Sequence, residues 1–254
     1  MTPQPDNLSY KETLGKLQFR IRAHKEFANF DVSDWIEEFV GRKQRTAIFD
    51  LGCGNGNHLG IYLKHVGRAG RVVGLDREPS LIDEARRNFG AANLELHAAS
   101  MDDPLPFADE SFDLCFSNFA IYNAKNPRLT IAELKRVLQP GGEIVLIGPT
   151  RNNARELHEF NTRLTGQPVD EVILVRSDRI RREIVPIVRE VFGNPSEEIL
   201  HSRLTFPNAE EFVLYFQSTL FYERTNGVTR EQMLSSVPRD LVVSKEMIAA
   251  TATK

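Results

Sequence analysis

Short apolar runs recur along the first 150 residues or so and alternate with helix-like stretches. Each run is rich in β-branched or aromatic residues, which is typical of buried strands. The runs span 46–51, 71–76, 93–98, 112–117 and 143–148. Strand–helix alternation predicts parallel strands joined by right-handed crossovers. The pattern therefore predicts an α/β fold with a doubly wound, mostly parallel sheet and helices on both faces.

Polar and apolar spacing also predicts the helices around these strands. Residues 78–89 place Pro79 in a first turn, where its missing N–H costs nothing. Residues 128–138 carry apolar side chains near a helical repeat, and Pro140-Gly141-Gly142 then ends the helix and turns the chain into the next strand. Ahead of the first strand, residues 9–40 have the spacing of two helices.

After residue 150 the alternation of strand-like and helix-like stretches becomes less regular. It predicts helices at 151–165, 177–192, 209–222 and 229–236, a strand near 197–206, and an antiparallel last strand in the alternating run 242–250. The segments 166–196 and 207–236 exceed what such a sheet needs, and we expect them to form a partial helical lid over its ligand-binding side. The predicted organisation is a helical cover at 1–44, a ligand-binding core at 45–150 and a part at 151–254 that completes the sheet.

Composition and charge disfavour several classes of protein. The 254 residues are enough for one large α/β domain with an elaborated end. The 32 basic and 35 acidic residues balance, which disfavours a strongly electrostatic nucleic-acid binder. No apolar run is long enough to span a bilayer, and the start lacks a secretory signal pattern. We therefore expect a cytoplasmic protein, a monomer or homodimer, without nucleic-acid or membrane partners.

The two cysteines fall inside predicted core elements. Cys53 and Cys115 are expected to be buried thiols in a reducing compartment rather than a disulfide. No clustered Cys/His spacing is present, so no metal site is predicted.

A glycine-rich bend follows the first strand. Residues 48–57 read Ile-Phe-Asp-Leu-Gly-Cys-Gly-Asn-Gly-Asn, so that Asp50 precedes three glycines at alternate positions. Glycine lets the backbone turn sharply and lets a ligand approach the main chain, because no Cβ intervenes. Asp76 closes the next apolar run, where a strand-end carboxylate accepts hydrogen bonds from ribose hydroxyls in doubly wound folds. Together these residues predict a pocket for an adenosine-containing cofactor.

The glycine spacing separates two kinds of cofactor. A dinucleotide site needs G-x-G-x-x-G, and the third glycine would fall at Asn57 or Leu59. Neither position is glycine, so a nicotinamide oxidoreductase is disfavoured. Asp50-x-Gly52-x-Gly54-x-Gly56 instead resembles motif I of the class I S-adenosylmethionine-dependent methyltransferases. In that family the glycine backbone lies along the amino-acid half of the cofactor, and the first acid helps to hold its ammonium, often through water.

Two further stretches carry the same resemblance. Leu105–Asp113 is similar to the segment before the fourth strand of small-molecule methyltransferases of type 11, and Glu133–Gly142 is similar to the helix and turn before the fifth strand. The resemblance covers about residues 46–148. It implies a Rossmann-like fold, S-adenosylmethionine as cofactor, S-adenosylhomocysteine as product and a small-molecule acceptor.

The loop after the third strand departs from the family pattern. The family usually has an acid for the adenine amino group, followed by an apolar residue whose N–H meets a ring nitrogen. Ala98–Pro104 is one residue longer, which puts Ser100 in the acid's place and Met101 in the apolar place. Asp102 substitutes for Ser100 if the loop shifts, and both alternatives stay open. The implied cofactor-binding positions are Asp50, Gly52, Cys53, Gly54, Gly56, Asp76, Arg77, Ser100, Met101, Asp102 and Asn118, with the side chain of Arg77 expected to point to solvent.

Methyl transfer needs alignment more than it needs a catalytic group. The sulfonium makes the methyl group electrophilic, so the reaction is an in-line displacement, and orientation alone is worth about 7–11 kcal/mol. Asn118 ends the fourth strand, where the ligand crevice of a parallel sheet lies, so we expect it to face the methionine part or the reacting centre. Tyr122 lines the acceptor pocket or packs as an ordinary aromatic residue. His158 is the candidate general base, since a histidine titrates near pH ~6.5.

Other polar side chains have both a functional and a plain structural interpretation. Tyr10 and His24, on the N-terminal helices, could act as base or gate, yet each suits an ordinary surface or core position. The arginines at 176, 179, 181 and 182 could bind an acidic partner, but arginines at that spacing usually decorate an exposed helix face.

The acceptor class follows from the end of the fourth strand. The Asn/Asp-Pro-Pro-Tyr/Phe signature of enzymes that methylate exocyclic amines is replaced by Ser117-Asn118-Phe119-Ala120. Without aromatic–basic interleaving, nucleic acid is disfavoured, and the enlarged C-terminal half suits a small molecule better than a protein. The alternative keeps the pocket without the reaction, as a non-catalytic S-adenosylmethionine-binding regulatory or partner subunit.

Overall fold

A seven-stranded sheet organises the chain in the computed structural model, which describes residues 13–225 and 227–254. The strands are β1 (Ala47–Leu51), β2 (Arg71–Asp76), β3 (Leu94–Ala98), β4 (Phe112–Asn118), β5 (Leu138–Pro149), β6 (Ser196–Thr205) and β7 (Val242–Thr253). Their order is β3-β2-β1-β4-β5-β7-β6. The first five strands pair in parallel, and β7 is antiparallel to β5. The predicted α/β sheet with an antiparallel last strand is confirmed.

Ten α-helices lie in the described part of the chain. They are α1 (Leu14–Phe27), α2 (Val32–Gly41), α3 (Leu59–Val66), α4 (Pro79–Asn88), α5 (Pro127–Val137), α6 (Arg155–Thr165), α7 (Glu171–Ser177), α8 (Val185–Phe192), α9 (Ala209–Gln217) and α10 (Arg230–Ser236). Of these, α3, α4 and α5 connect parallel strands. Asn126 caps α5 by accepting a hydrogen bond from the N–H of Leu129 at 3.3 Å. Tyr10, placed in the first predicted helix, lies outside the described residues.

The predicted helix at 177–192 is confirmed from residue 179 to residue 192, but it is not α-helical throughout. α7 ends at Ser177, a π-helical turn spans Ile180–Ile184, and α8 begins at Val185. Pro186 accounts for the change of register, because its nitrogen has no hydrogen to donate to the carbonyl four residues earlier.

Two other helices are shorter than predicted. α6 begins at Arg155 rather than at 151, because Ala154 has a left-handed φ of 58°. α9 ends at Gln217 rather than at 222. There the hydroxyls of Ser218 and Thr219 donate to backbone carbonyls three residues earlier, at 2.7 and 2.6 Å, and compete with the helical hydrogen-bond pattern.

β5 begins directly after α5, earlier than predicted. The N–H of Gly141 donates to the carbonyl of Lys254 at 2.8 Å, and the N–H of Lys254 donates to the carbonyl of Gly142 at 2.9 Å. The predicted turn residues thus join the ladder that β5 makes with β7. This pairing is far away in the sequence, so a local pattern cannot reveal it.

The chain divides into two compact units, each with its own core. The core unit consists of Val32–Thr150, Asp178–Ile199 and Met247–Lys254. The second unit consists of the segment up to Asp31, Arg151–Ser177 and Leu200–Glu246. Its core is aromatic: the ring of Phe160 meets those of Phe212 and Phe216 edge-on, with centroids 5.2 and 4.9 Å away. The lid formed by 166–196 and 207–236 stays a prediction.

Phe116 on β4 anchors one face of the sheet in the core unit. Its buried ring stacks on Tyr62 of α3 at 5.1 Å between centroids and meets Phe39 of α2 edge-on at 6.1 Å. Asp50 on β1 is paired with Phe116 in register. Because strand side chains alternate between faces, Asp50 and Asn118 share the face of Phe116. This face therefore continues from the apolar core to the strand ends.

We expect Phe116→Ala to lower the free energy of unfolding by about 3–5 kcal/mol, because it removes a buried ring and leaves a cavity beside Tyr62. Chemical denaturation followed by circular dichroism measures the change. Leu129→Ala is the control, since Leu129 is 59% exposed, and its effect should stay within about 0.5 kcal/mol. Equal effects for the two variants would contradict the packing of this face.

Candidate functional site

The bend after β1 has a left-handed backbone. Gly52, Gly54 and Gly56 have φ angles of 82°, 56° and 88°, a region that glycine enters without steric cost. The N–H groups of Gly52 and Cys53 donate to the carbonyl of Leu75 at 2.7 and 3.0 Å. The glycine-rich sequence thus lays its backbone across the ends of two neighbouring strands.

Gly52 also lets the end of β4 approach the bend. A Cβ added to Gly52 would lie 2.2 Å from the Cβ of Ala120 and 3.6 Å from the Cε of Met101. Ala120 follows β4 and Met101 follows β3. The bend and both loops therefore meet at the carboxyl edge of the sheet, where ligands bind in folds of this kind.

Asp76, at the end of β2, is hydrogen-bonded to the bend. Its Oδ2 accepts from the N–H of Gly54 at 2.9 Å, and its Oδ1 accepts from the N–H of Glu78 at 3.0 Å. Burial raises the pKa of this carboxyl, and the two N–H donors act in the opposite direction. Each oxygen keeps a second lone pair, which leaves room for the hydroxyls of a ligand.

Asp50 is the fully buried acid of the site. Its Oδ1 has no hydrogen-bond partner. Burial, and after it the negative charge of Asp76, raises the pKa of Asp50 to about 8. An unpartnered buried acceptor is costly, and a positively charged N–H donor would remove that cost. The donor and acceptor groups present therefore fit the methionine ammonium of S-adenosylmethionine.

The two candidates for the adenine contact differ in their surroundings. Asp102 Oδ1 accepts from the N–H groups of Lys125 and Asn126 at 2.7 and 3.5 Å, so this carboxylate ties its loop to the start of α5. The N–H of Asp102 donates to the Oγ of Ser100 at 3.1 Å. The hydroxyl of Ser100 keeps a proton and a lone pair for a further partner.

The side chains of Cys53 and Arg77 have different surroundings. The thiol of Cys53 donates to the carbonyl of Gly54 at 3.7 Å. Cys53 is buried, and its Sγ would lie 2.8 Å from a Cβ added to Gly74 on β2. Arg77 is 56% exposed, with its Nε 3.9 Å from Glu78 Oε1. Cys53 therefore offers a ligand its backbone rather than its thiol.

Asn118 is hydrogen-bonded to a residue that sequence analysis missed. Its Nδ2 donates to the Oη of Tyr62 at 2.8 Å, while its Oδ1 has no partner. Both side chains are buried; Asn118 is 8% exposed. Tyr62 occupies an ordinary inward-facing position of α3, so no local signal distinguishes it from a packing residue.

Tyr122 lies on a 3₁₀ turn, Ile121–Asn123, that a buried arginine holds. Arg179 is only 8% exposed and donates to the carbonyls of Tyr122 and Ala124 at 2.8 and 2.7 Å. The prediction of an arginine-decorated exposed helix face is therefore wrong for Arg179. Its guanidinium has donors enough to satisfy carbonyls that the short turn leaves unpaired, and this offsets its burial.

His158 belongs to the second unit, on α6. Its ring is buried edge-on against Phe221 with centroids 4.5 Å apart, and its Nε2 has no partner. Burial lowers the pKa of His158 to about 4, so the imidazole is neutral at pH ~7. Burial also lowers the pKa of His24 to about 3, and its Nε2 lies 3.3 Å from Tyr215 Oη. The catalytic candidates are thus divided: Asn118 and Tyr122 are in the core unit and His158 is in the second.

Within residues 13–225 and 227–254, no three His, Cys, Asp or Glu side chains cluster in a way that could hold a metal ion. In the same part of the chain, no helix combines the length and hydrophobicity that a bilayer crossing requires. Cys53 and Cys115 are both buried and unbridged.

The chain is similar in sequence to several known proteins. Residues 49–146 match the family model described as a methyltransferase domain. Demethylmenaquinone methyltransferase of Staphylococcus aureus is 27% identical over 187 residues, which cover 72% of this chain and 70% of that protein. An uncharacterised 37.1 kDa transposon protein of Streptomyces fradiae is 32% identical over 148 residues, and this chain spans only 39% of its length.

The fold is also shared with solved structures. An S-adenosylmethionine-dependent methyltransferase from Aquifex aeolicus superposes with a TM-score of 0.55 and 16% identity, covering 94% of this chain and 100% of that one. At this identity the likeness concerns the fold.

We expect Gly52→Ala to destabilise the protein by about 2–4 kcal/mol, because a left-handed φ strains a residue with a Cβ and the added methyl overlaps Ala120. Adding Ala120→Gly should recover only the part that comes from the overlap. Urea unfolding measures the stability of the original protein and of each variant. Gly90→Ala is the matched control, since a Cβ there meets nothing within 4 Å. A Gly52→Ala variant as stable as the original protein would contradict the close approach of β4.

Proposed function

We propose that this chain is a class I S-adenosylmethionine-dependent methyltransferase that transfers the cofactor's methyl group to a small-molecule acceptor. The match of residues 49–146 to a methyltransferase-domain model and the fold support the proposal. S-adenosylhomocysteine would be the second product. One observation carries the proposal. Two carboxyls, Asp50 and Asp76, end neighbouring parallel strands on either side of a glycine bend whose backbone approaches the sheet edge without side chains.

The described residues offer a partner for each part of the cofactor. Asp76 would accept hydrogen bonds from the ribose hydroxyls through its spare lone pairs. Asp50 would face the ammonium, and the backbone of the bend would lie along the amino-acid part. Met101 would pack beside adenine. For the polar contact to adenine, Ser100 is favoured, because one oxygen of Asp102 already accepts two backbone N–H groups.

The reaction proposed is an in-line displacement. The bound cofactor supplies an already electrophilic methyl group, so the protein's part is to orient the acceptor and exclude water. Asn118 would orient the methionine part from the end of β4, and Tyr122 would line the acceptor side. His158 stays the candidate for accepting a proton: its imidazole is neutral at pH ~7, although its low pKa makes it a weak base.

A small acceptor is supported by two observations. The chain lacks the tetrapeptide signature of enzymes that methylate exocyclic amines, and Ser117-Asn118-Phe119-Ala120 stands in its place. A relative that this chain matches over 70% of its length acts on demethylmenaquinone, which is a small molecule. Incubation with radiolabelled S-adenosylmethionine and a fractionated metabolite extract tests the proposal. Label transferred only to protein or nucleic acid would overturn it, and tight cofactor binding without any labelled product would indicate a non-catalytic subunit.

Replacing Asp76 by Ala should weaken the binding of S-adenosylhomocysteine by about 1–3 kcal/mol, because the ribose loses a charged acceptor. Isothermal titration calorimetry measures the affinity. Asp76→Asn keeps the shape of the side chain without its charge. Its affinity should lie between those of Asp76→Ala and the original protein. Arg77→Ala is the neighbouring control, because that side chain is 56% exposed, and it should bind like the original protein. Unchanged affinity in Asp76→Ala would place the ribose elsewhere.

Binding should also release a proton from Asp50. With its pKa raised to about 8, roughly nine in ten Asp50 carboxyls are protonated at pH ~7, and a bound ammonium favours the ionised form. Calorimetry at pH ~7 in buffers of different ionisation enthalpy should show about one proton released per S-adenosylhomocysteine, and almost none for Asp50→Asn. Equal release from both proteins would mean that another group gives up the proton.

The raised pKa of Asp50 also determines whether the free protein becomes more or less stable as the pH rises. The pKa of folded Asp50 lies above its usual value, so protonation stabilises the fold. This contribution is complete below about pH 4 and is lost as the pH rises through about 8. Unfolding of the original protein should therefore become easier across this range relative to Asp50→Asn.

A further inference from the structure

Tyr62 places a hydrogen-bonding group inside an otherwise apolar packing layer. Its phenol is fully buried, and its ring stacks on Phe116 with the planes 21° apart. The phenol oxygen accepts a hydrogen bond from the Nδ2 of Asn118 at 2.8 Å. A stacked ring with a bonded hydroxyl has little freedom to move, so it can hold a neighbour in one orientation.

The side-chain amide of Asn118 is held through its Nδ2, which donates to Tyr62. With Nδ2 turned to the phenol, Oδ1 points the other way and has no partner. Asp50, on the neighbouring strand β1, has an Oδ1 without a partner as well. The face that carries these two side chains is the one that α3 covers, because Asp50 is in register with Phe116. Two buried acceptors without donors therefore flank the glycine bend.

A pair of unsatisfied acceptors suits a ligand group with several N–H donors and a positive charge. Each acceptor left alone in a low-dielectric interior is costly, and one ammonium can satisfy both. The opposite orientation of Asn118 would occupy its Oδ1 with the phenol hydrogen and turn an N–H₂ group toward the ammonium, which repels it. The direction of the Tyr62–Asn118 bond thus decides whether Asn118 attracts or repels a cation.

We propose that Tyr62 is a positioning residue for cofactor recognition: it orients Asn118 so that Asn118 Oδ1 and the Asp50 carboxyl together accept hydrogen bonds from the ammonium of the methionine part. This inference rests on the proposed function, since it presumes that S-adenosylmethionine binds at the glycine bend. Burial, together with the charge of Asp50, raises the pKa of Tyr62 and keeps the phenol neutral. Burial and the nearby carboxyls also raise the pKa of Cys53 and keep its thiol neutral. The negative charge that meets the ammonium would therefore come from Asp76 and from Asp50 once binding has ionised it.

Two probes separate ammonium recognition from general damage to the pocket. S-adenosylhomocysteine carries the amino-acid part, whereas 5′-methylthioadenosine shares the adenosine and thioether and lacks the ammonium. Calorimetry of both with the full chain gives an affinity ratio that reports the amino-acid part. Tyr62→Phe should lower this ratio about tenfold, the effect of one misdirected hydrogen bond to a charged group, and should leave methylthioadenosine binding within about twofold.

Tyr215→Phe is the matched control. It removes another buried phenol, hydrogen-bonded to His24 at 3.3 Å in the second unit, and should not change the ratio. Asn118→Ala should lower the ratio by itself, and Tyr62→Phe added to it should have no further effect, because the two residues act through one contact. If Tyr62→Phe folds poorly, Asn118→Ala alone still tests whether this amide contributes to the affinity ratio.

The outcomes distinguish this inference from the proposed function. If the unmodified protein binds neither probe, the proposed function fails. If it binds S-adenosylhomocysteine and Tyr62→Phe leaves the ratio unchanged, or weakens both probes equally, the positioning role of Tyr62 is overturned while the function stands. Independent effects of Tyr62→Phe and Asn118→Ala would also overturn it.

Discussion

The site depends on one steric constraint, the close passage of bare backbone against the end of a neighbouring strand. Where β1 ends, the chain turns across the sheet edge, and a Cβ on Gly52 would lie 2.2 Å from the Cβ of Ala120. Glycine in a left-handed conformation satisfies this geometry. The carbonyl of Leu75 then accepts two N–H groups of the bend, so the shape of the bend is set by backbone contacts. A ligand can lie along such a surface because no side chain covers it.

The second constraint is electrostatic. Parallel strands end at one edge of a sheet, so Asp50 and Asp76 come close enough for the charge of Asp76 to raise the pKa of Asp50. Asp76 is stabilised by two backbone donors, whereas Asp50 has an oxygen without a partner and a pKa raised to about 8. Burial of Asp50 without a partner for this oxygen is therefore unfavourable, and a cationic ligand would relieve that cost.

One face of the sheet connects the apolar core to the reacting edge. Phe116 packs against α2 and α3, and the same stacked ring of Tyr62 that completes this packing touches Asn118. Side-chain orientation at the strand end is thus set by the core behind it. Arg179 has a comparable role on the turn that carries Tyr122, where it satisfies two carbonyls. In both places a buried polar contact fixes the geometry of a segment next to the site.

The sequence by itself determined the parallel strands, the glycine bend and the two acids that flank it. These features are local: apolar runs form buried strands, and spaced glycines form sharp turns wherever they occur. The tertiary structure alone decided that Tyr62 meets Asn118, that Arg179 is buried, that Asp102 bonds to Lys125 and that β5 extends back to pair near Lys254. Each of these joins residues distant in the chain, and the same side chains would look ordinary in a local pattern. Such contacts depend on which faces meet after folding, and periodicity along the chain carries no information about that.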